Sequence, residues 1–430
     1  MTKGGNMAVG DYVTLQRGIT YKGKLVGKPG PALLGLGSIQ PGGGFREGDY
    51  KTYGGECPHK LMLFPGDLFV SLKGATKDGK MIGSVARVPL SVQSGRLTQD
   101  TVKLEFRSPD RETSNFLYWI LRTPQYRDYC DGHATGSAVV ALSRDDFLSY
   151  PVPAMNTLRV RIVGLLEELD KKIELNRRMN KTLEEMARAL FKSWFVDFDP
   201  VRAKLDGRQP PGLDPATAAL FPSKFQDSPL GPIPHGWQAT KLGDIAMNIS
   251  ITFDFKRTPE VIFINTGDVL EGSFLHSKRT AHIGLPGQAK KSIRPDDILF
   301  SEIRPANKRY AYVDFDSTDY VVSTKFMIIR GSKEIHPRLL YRILTAKETL
   351  DEFQVQAESR SGTFPQITFD SISHLPIVLP TIEIQEVFQR VVSEIDDQIK
   401  VNKQQSRTLA TLRDTLLPKL LSRELSVTTE

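Results

Sequence analysis

The stretch 169-LDKKIELNRRMNKTLEEMARAL-190 returns near the end of the chain as 395-IDDQIKVNKQQSRTLATLRDTL-416. Asp170, Ile173, Asn176, Thr182, Leu183 and Leu190 fall without a gap on Asp396, Ile399, Asn402, Thr408, Leu409 and Leu416, a constant 226 residues on. Two halves therefore share one plan. In the first copy Leu166, Leu169, Ile173, Asn176, Asn180, Leu183, Ala187, Leu190 and Trp194 alternate steps of three and four, the seam of a helix packed against another helix. The second seam runs Phe388, Val392, Ile395, Ile399, Asn402, Ser406, Leu409, Leu416 and Leu420, with Arg413 out of pattern and Leu412 its expected substitute. Two such helices with matching polar interruptions pack most simply on each other, antiparallel. A helix of about 35 residues is about 50 Å long, comparable with one to one and a half turns of duplex.

Upstream of each helix, 135-TGSAVVALSRDDFLSYPVP-153 matches 361-SGTFPQITFDSISHLPIVLP-380, and 65-PGDLFVS-71 matches 295-PDDILFS-301. Each half opens with short β-type runs such as DLFVSL, MIGSVARV, VIFIN and DILFS, broken by Gly, Pro and charged turns, and adds small helical pieces such as NFLYWILRTPQYRDYC. Between the halves, residues 198–235 are too rich in proline for one long helix and read as a linker crossing the surface.

At 430 residues the chain holds two or three domains, each able to bury a core. No apolar run approaches the roughly 20 residues of a membrane helix, the N-terminus lacks an apolar signal, and Cys57 and Cys130 are the only cysteines. The expectations are no membrane, a cytoplasmic location and no structural disulfide. A net charge of +7 leans toward an anionic partner.

The segment 74-GATKDGKM-81 comes within one residue of a phosphate-binding loop, but Met81 stands where a magnesium-binding hydroxyl is required. It reads instead as the lysine-tipped loop between two strands, DLFVSL and MIGSVARV. Its counterpart, 298-ILFSEIRPANKRYAYVDF-315, keeps a basic tip and loses the glycines, which argues for a basic contact surface used twice. A methyltransferase would show an N/D-P-P-Y/F loop; DFDPV lacks the second proline and the aromatic. PDDILFSEIR is a poor nuclease site because Arg304 replaces the lysine, and the seven histidines form no paired ligand set. Catalytic residues, metal and cofactor are all expected to be none.

Three features resemble the specificity (S) subunit of type I restriction-modification systems: the whole-chain order of variable unit and long helix, repeated; the run 191-FKSWFVDFDPVRAK-204; and the closing pattern of each variable unit. The lead-in 232-PIPHGWQATKLGDIA-246 is similar too. The resemblance implies an α+β chain of two similar target recognition domains (twisted β-sheet with small helices) and two long antiparallel coiled-coil-like helices, with a pseudo-two-fold internal repeat. The expected boundaries are 1–155 for the first recognition domain, 156–197 for the first conserved helix, 198–235 for the linker, 236–381 for the second recognition domain and 382–425 for the second helix. It further implies a non-catalytic subunit that reads a bipartite, spaced target in double-stranded DNA and directs adenine methylation and restriction. Its partners would be two methyltransferase (M) subunits and, through the complex, restriction (R) subunits. Other readings stay open at this point: the specificity subunit of a related methyltransferase-nuclease system of another restriction type, a self-contained modification or restriction enzyme, or a repeat scaffold that binds only protein.

Affinity for DNA comes from Lys and Arg on phosphates, and specificity from polar side chains on base edges. In the first unit the candidates are Lys22, Lys24, Lys73, Lys77, Lys80, Arg96, Gln99, Thr135 and Ser137. In the second they are Arg304, Asn307, Lys308, Arg309, Lys325, Arg360, Ser361, Thr363 and Gln366. Phe45, Tyr53 and Tyr310 are candidate base-stacking residues, although aromatics in such segments more often sit in a core. Asn176, Asn180, Asn402 and Ser406 are expected to fix the register of the helix pair.

Overall fold

The computed structural model describes residues 7–48, 50–74, 79–136, 140–360 and 365–421, with the side chains of Arg257 and Arg360 outside that set. The chain forms two compact units, Met1–Arg178 with Asn402–Glu430, and Met179–Val401.

In the first unit an antiparallel sheet has the order Val13–Arg17, Thr101–Phe106, Leu68–Ser71, Val85–Arg87. A smaller sheet places Gly95–Leu97 parallel to Ala32–Leu34 and antiparallel to Met62–Leu63. The strand Leu68–Ser71 is buried on both faces, and its period of two feeds two cores. Leu68 and Val70 join Trp119, Phe116 and Tyr126 of the helices, whereas Phe69 joins Leu34 and Leu97 of the small sheet. The helices begin where capping chemistry dictates: Asp110 accepts from the Thr113 amide at 2.8 Å, and Thr123 stands before Pro124 and accepts from the Tyr126 amide at 3.3 Å.

The second unit repeats this plan. Its first sheet runs Ala246–Asn248, Phe326–Gly331, Ile298–Ser301, Tyr310–Tyr312, again wholly antiparallel. In its second sheet Glu260–Ile264 lies parallel to Tyr320–Ser323, which pairs antiparallel with Ala289–Ser292. Ile298 and Phe300 face the helical core while Leu299 faces the second sheet, the same division of labour as in Leu68–Ser71. The repeat in sequence is thus a repeat in strand order.

The first long helix runs Thr157–Phe195 and the second Ile382–Leu416, followed by a 3-10 turn at Leu417–Leu420 rather than further α-helix. Within the first unit the Arg159 guanidinium donates to the Leu420 carbonyl at 2.8 Å, Asp170 pairs with Arg413 at 2.9 Å, and Asn176 donates to Ser406 at 3.3 Å. One residue number rises as the other falls, so the segments are antiparallel there. Within the second unit Phe191, Trp194 and Phe195 surround the buried Phe388 at centroid distances of 6.3, 5.9 and 4.8 Å.

Two expectations are corrected. Leu412 does not replace Arg413: Leu412 is exposed, and Arg413 occupies the seam because Asp170 lies opposite and satisfies its charge. The proline-rich stretch is not a surface linker throughout. Val201, Phe221 and Ile233 are buried in the core of the second unit, with Trp194 5.0 Å from Phe221. Prolines stop long helices without preventing short ones, here Asp199–Leu205 and Pro215–Leu220, from laying apolar faces on that core.

Candidate nucleic-acid interface

In the second unit the basic loop leaves the strand Ile298–Ser301 and returns as Tyr310–Tyr312. Arg304 and Lys308 flank the 3-10 turn Pro305–Asn307 in left-handed conformations, with φ of 45° and 54°. Neighbouring segments hold this strained turn in place. The Arg304 amide donates to the Pro365 carbonyl at 3.0 Å, the Ala306 amide to Gln354 Oε1 at 3.0 Å, and Ile303 bridges Gln366. The Glu302 amide reaches the Lys325 carbonyl, and Gln366 Nε2 donates to Glu302 Oε2 at 3.2 Å. Arg304, Asn307, Lys308, Arg309, Lys325 and Gln366 are thereby gathered at one end of the sheet.

Their side chains differ in availability. Arg304, Asn307 and Lys325 are exposed and make no side-chain hydrogen bond or ion pair with the described residues. Lys308 pairs with Glu271 at 2.6 Å, and Arg309 donates to the Gly267 and Val269 carbonyls at 3.1 and 2.9 Å, so Arg309 braces the loop. Tyr310 is buried against Phe300, with its hydroxyl pushed up to about 12 by that burial, and is core rather than a stacking platform.

In the first unit the strands Leu68–Ser71 and Val85–Arg87 pair antiparallel, and Met81–Ser84 forms turns instead of extending the second strand. Gly83 has φ of 67°, and a Cβ there would lie 2.4 Å from Cys130 Sγ, so the tight return requires glycine. Met81 is buried with Phe69 and Val88, which places the supposed phosphate-loop position in the core. Lys73 bridges Ala141, which also bridges Thr135, while the Gly74 amide donates to the Val140 carbonyl at 2.7 Å. The Lys80 carbonyl accepts from Arg127 at 3.2 Å. Lys73 and Thr135 are thus brought together, with Lys80 on the return of the same loop, at the edge that carries Arg304 to Arg309 in the other unit's sheet.

Lys22, Lys24 and Gln99 are exposed at a second place. Gly23, between Lys22 and Lys24, and Gln99 line a cleft of about 770 Å³ whose walls include Tyr21, Arg46, Tyr50 and Asp100. Lys73 Nζ lies 4.0 Å from Asp100 Oδ1, which ties this cleft to the basic loop. Arg96 is a correction. It is 2% exposed, donates to the Thr20 and Glu56 carbonyls at 3.1 and 3.3 Å and lies 4.8 Å over the Tyr53 ring, so it is a structural cation. Tyr53 is buried and Phe45 packs on Phe69, which removes both as stacking candidates. Lys77, Ser137, Ser361 and Thr363, and the side chain of Arg360, lie outside the described residues.

At the helix pair Asn176, 1% exposed, donates through Nδ2 to Gln405 Oε1 at 2.8 Å, Ser406 Oγ at 3.3 Å and the Asn402 carbonyl at 3.4 Å. Gln405 is a partner that heptad counting missed, because it lies one position off the seam.

The nuclease-like carboxylate is consumed by the fold. Asp297 is fully buried and takes two bonds from Arg330, at 2.6 and 2.9 Å, while its repeat counterpart Asp67 takes Lys103 at 2.7 Å. Among the described residues no group of His, Cys, Asp and Glu could hold a metal ion, and no helix is long and apolar enough to cross a membrane.

Residues 234–411 match the family of type I restriction modification DNA specificity domains. The chain is 50% identical over 181 residues to the HindI specificity subunit of Haemophilus influenzae, a match covering 42% of this chain and 39% of that relative. It is 24% identical over 362 residues to the MjaIX specificity subunit of Methanocaldococcus jannaschii, covering 80% and 75%. The type I restriction-modification S subunit from M. genitalium has a similar fold, with a TM-score of 0.53 at 15% identity over 97% of this chain and 95% of that one.

Proposed function

We propose that the chain is a specificity subunit of a type I restriction-modification system and that it reads a bipartite DNA target without catalysing any step itself, a reading supported by the family match over residues 234–411 and by the likeness to two specificity subunits. Each unit reads one half-site, through a recognition domain spanning 1–155 in the first and 236–381 in the second. The observation that carries this reading is the repetition of one device: the edge strand pair of a four-stranded sheet presents a basic loop in both units. Exposed Lys22, Lys24, Lys73 and Lys80 in one unit and Arg304 and Lys325 in the other supply charge to phosphates, and Gln99, Thr135, Asn307 and Gln366 supply hydrogen-bonding groups to base edges. The long helices set the spacing, with Asn176, Asn180, Asn402 and Ser406 fixing their register.

Methyl transfer to adenine and cleavage belong to partner subunits. The outer faces of the helices support a reading with two methyltransferase partners. Leu165, Leu175 and Met186 are exposed, and so are Val391, Val401 and Leu412, each 226 residues on. All six lie one residue before a seam position, about 100° around the helix from it. Each unit carries three of them in the same pattern, two from one helix and one from the other, which fits two copies of one apolar partner surface. The test is a graft: residues 1–155 from a homologue of different specificity, in the intact complex, change one half of the recognised sequence. Change in both halves, or in neither, refutes the assignment.

A further inference from the structure

Four carboxylates on the long helices are tied to arginines in a way that the reading of DNA by the loops does not use. In the first unit Asp170 receives Arg122 of the recognition domain at 3.6 Å and Arg413 of the second helix at 2.9 Å. In the second unit its repeat counterpart Asp396 receives Arg342 at 2.7 Å together with Arg338, both from the recognition domain, and Arg342 also lies 3.7 Å from Glu184 of the first helix. Each unit therefore has one charged node joining three elements: its domain and both helices. The arginines are largely buried, with 8% of the Arg122 side chain and 7% of that of Arg342 exposed, while Asp170, Glu184 and Asp396 keep 33%, 35% and 20% of theirs in solvent, so these are partly desolvated pairs rather than free surface ones.

From each node a short path leads to the return strand of the basic loop. Arg338 stacks 4.9 Å over Tyr312, which lies on the strand that follows Arg309. In the first unit the return strand is held by Arg87, which pairs with Glu167 of the first helix at 2.8 Å and lies 4.0 Å over Tyr118, the residue whose hydroxyl accepts from Arg122 at 2.8 Å. Glu167 is further fixed by the Trp119 indole at 2.6 Å. Charged pairs are directional, and removing one partner strands a buried charge, so such a node holds one angle more sharply than an apolar contact would.

We propose that Asp170 and Asp396 are positioning residues that lock the return strand of each basic loop to the helix pair and so set the spacer length at which the two half-sites are accepted. This rests on the bipartite reading above. The test uses the full chain in complex with its methyltransferase partners and a library of duplexes whose half-sites are fixed and whose spacer varies base pair by base pair. In Asp396→Asn the preference for the native spacer over spacers one base pair longer or shorter falls about tenfold, as loss of a charge-assisted hydrogen bond implies, while the preferred half-site sequences stay the same. Asp396→Glu, which keeps the charge, recovers part of the preference. Arg338→Gln, which leaves Arg342 in place, gives a smaller loss and serves if Asp396→Asn does not fold. An unchanged spacer preference in a folded Asp396→Asn complex, or half-site preference lost in equal measure, overturns the proposal. A wild-type complex with no spacer preference at all overturns instead the bipartite reading from which it starts.

Discussion

Replacing Asn176 by leucine makes the helix pair more stable and less selective. Asn176 is buried in the seam, and its Oδ1 has no hydrogen-bond partner among the described residues. Removing such an orphaned buried oxygen relieves about 1–3 kcal/mol, and burying a leucine there contributes about 1.5–3 kcal/mol. Against this stand the lost bonds to Gln405, Ser406 and the Asn402 carbonyl, about 0.5–1.5 kcal/mol each. Neither former partner is stranded: Gln405 is exposed, and Ser406 Oγ keeps its bond to the Asn402 carbonyl at 2.8 Å. The net gain is about 1 kcal/mol, which for a unit of this size raises Tm by about 2–4 °C. Scanning calorimetry of the chain in its complex reads the shift, and a binding selection over spacer lengths reads the selectivity, which broadens because leucine fits neighbouring registers equally well. A lowered Tm, or a stabilised protein with an unbroadened spacer preference, refutes the reasoning.

Three further outcomes are expected. Phe388→Ala empties the centre of the aromatic cluster of Phe191, Trp194 and Phe195 and costs about 3–5 kcal/mol, seen as a lower denaturation midpoint for the second unit alone. Arg304→Ala weakens DNA binding on all sequences to a similar degree and lowers the slope of log affinity against log salt by about 0.9, whereas Arg96→Ala lowers stability. Cys130 is buried and its thiol is pushed up to about 11, so at pH 8 it is protonated as well as enclosed; iodoacetamide labels the partly exposed Cys57 first and reaches Cys130 only as denaturant unfolds the first unit.

The helices were legible because a seam is a local signal: Ile173, Asn176, Ile399 and Asn402 announce their burial by spacing alone. The two basic loops were legible because repetition separates a shared plan from accident. Where the sequence misled, the deciding contact was distant. Arg96 has the composition of a DNA-reading residue, and nothing nearby in sequence reveals that the Thr20 and Glu56 carbonyls converge on it. Arg413 breaks the heptad only until Asp170 is placed opposite. The proline-rich segment hid Phe221, whose burial depends on Trp194 at the end of the helix that precedes the prolines. The charged nodes were invisible for the same reason, since Arg338 and Asp396 are far apart in the chain and neither belongs to a motif.

The reading of two separated half-sites by two units is tested by base-resolution sequencing of methylated adenine in cells carrying the intact system, compared with cells in which this chain carries Arg304→Ala and Asn307→Ala. Methylation is expected at one interrupted sequence with two specified ends and a fixed unspecified spacer. In the variant, only the half-site assigned to the second unit is relaxed. Methylation at a continuous sequence, or relaxation of both ends together, contradicts it.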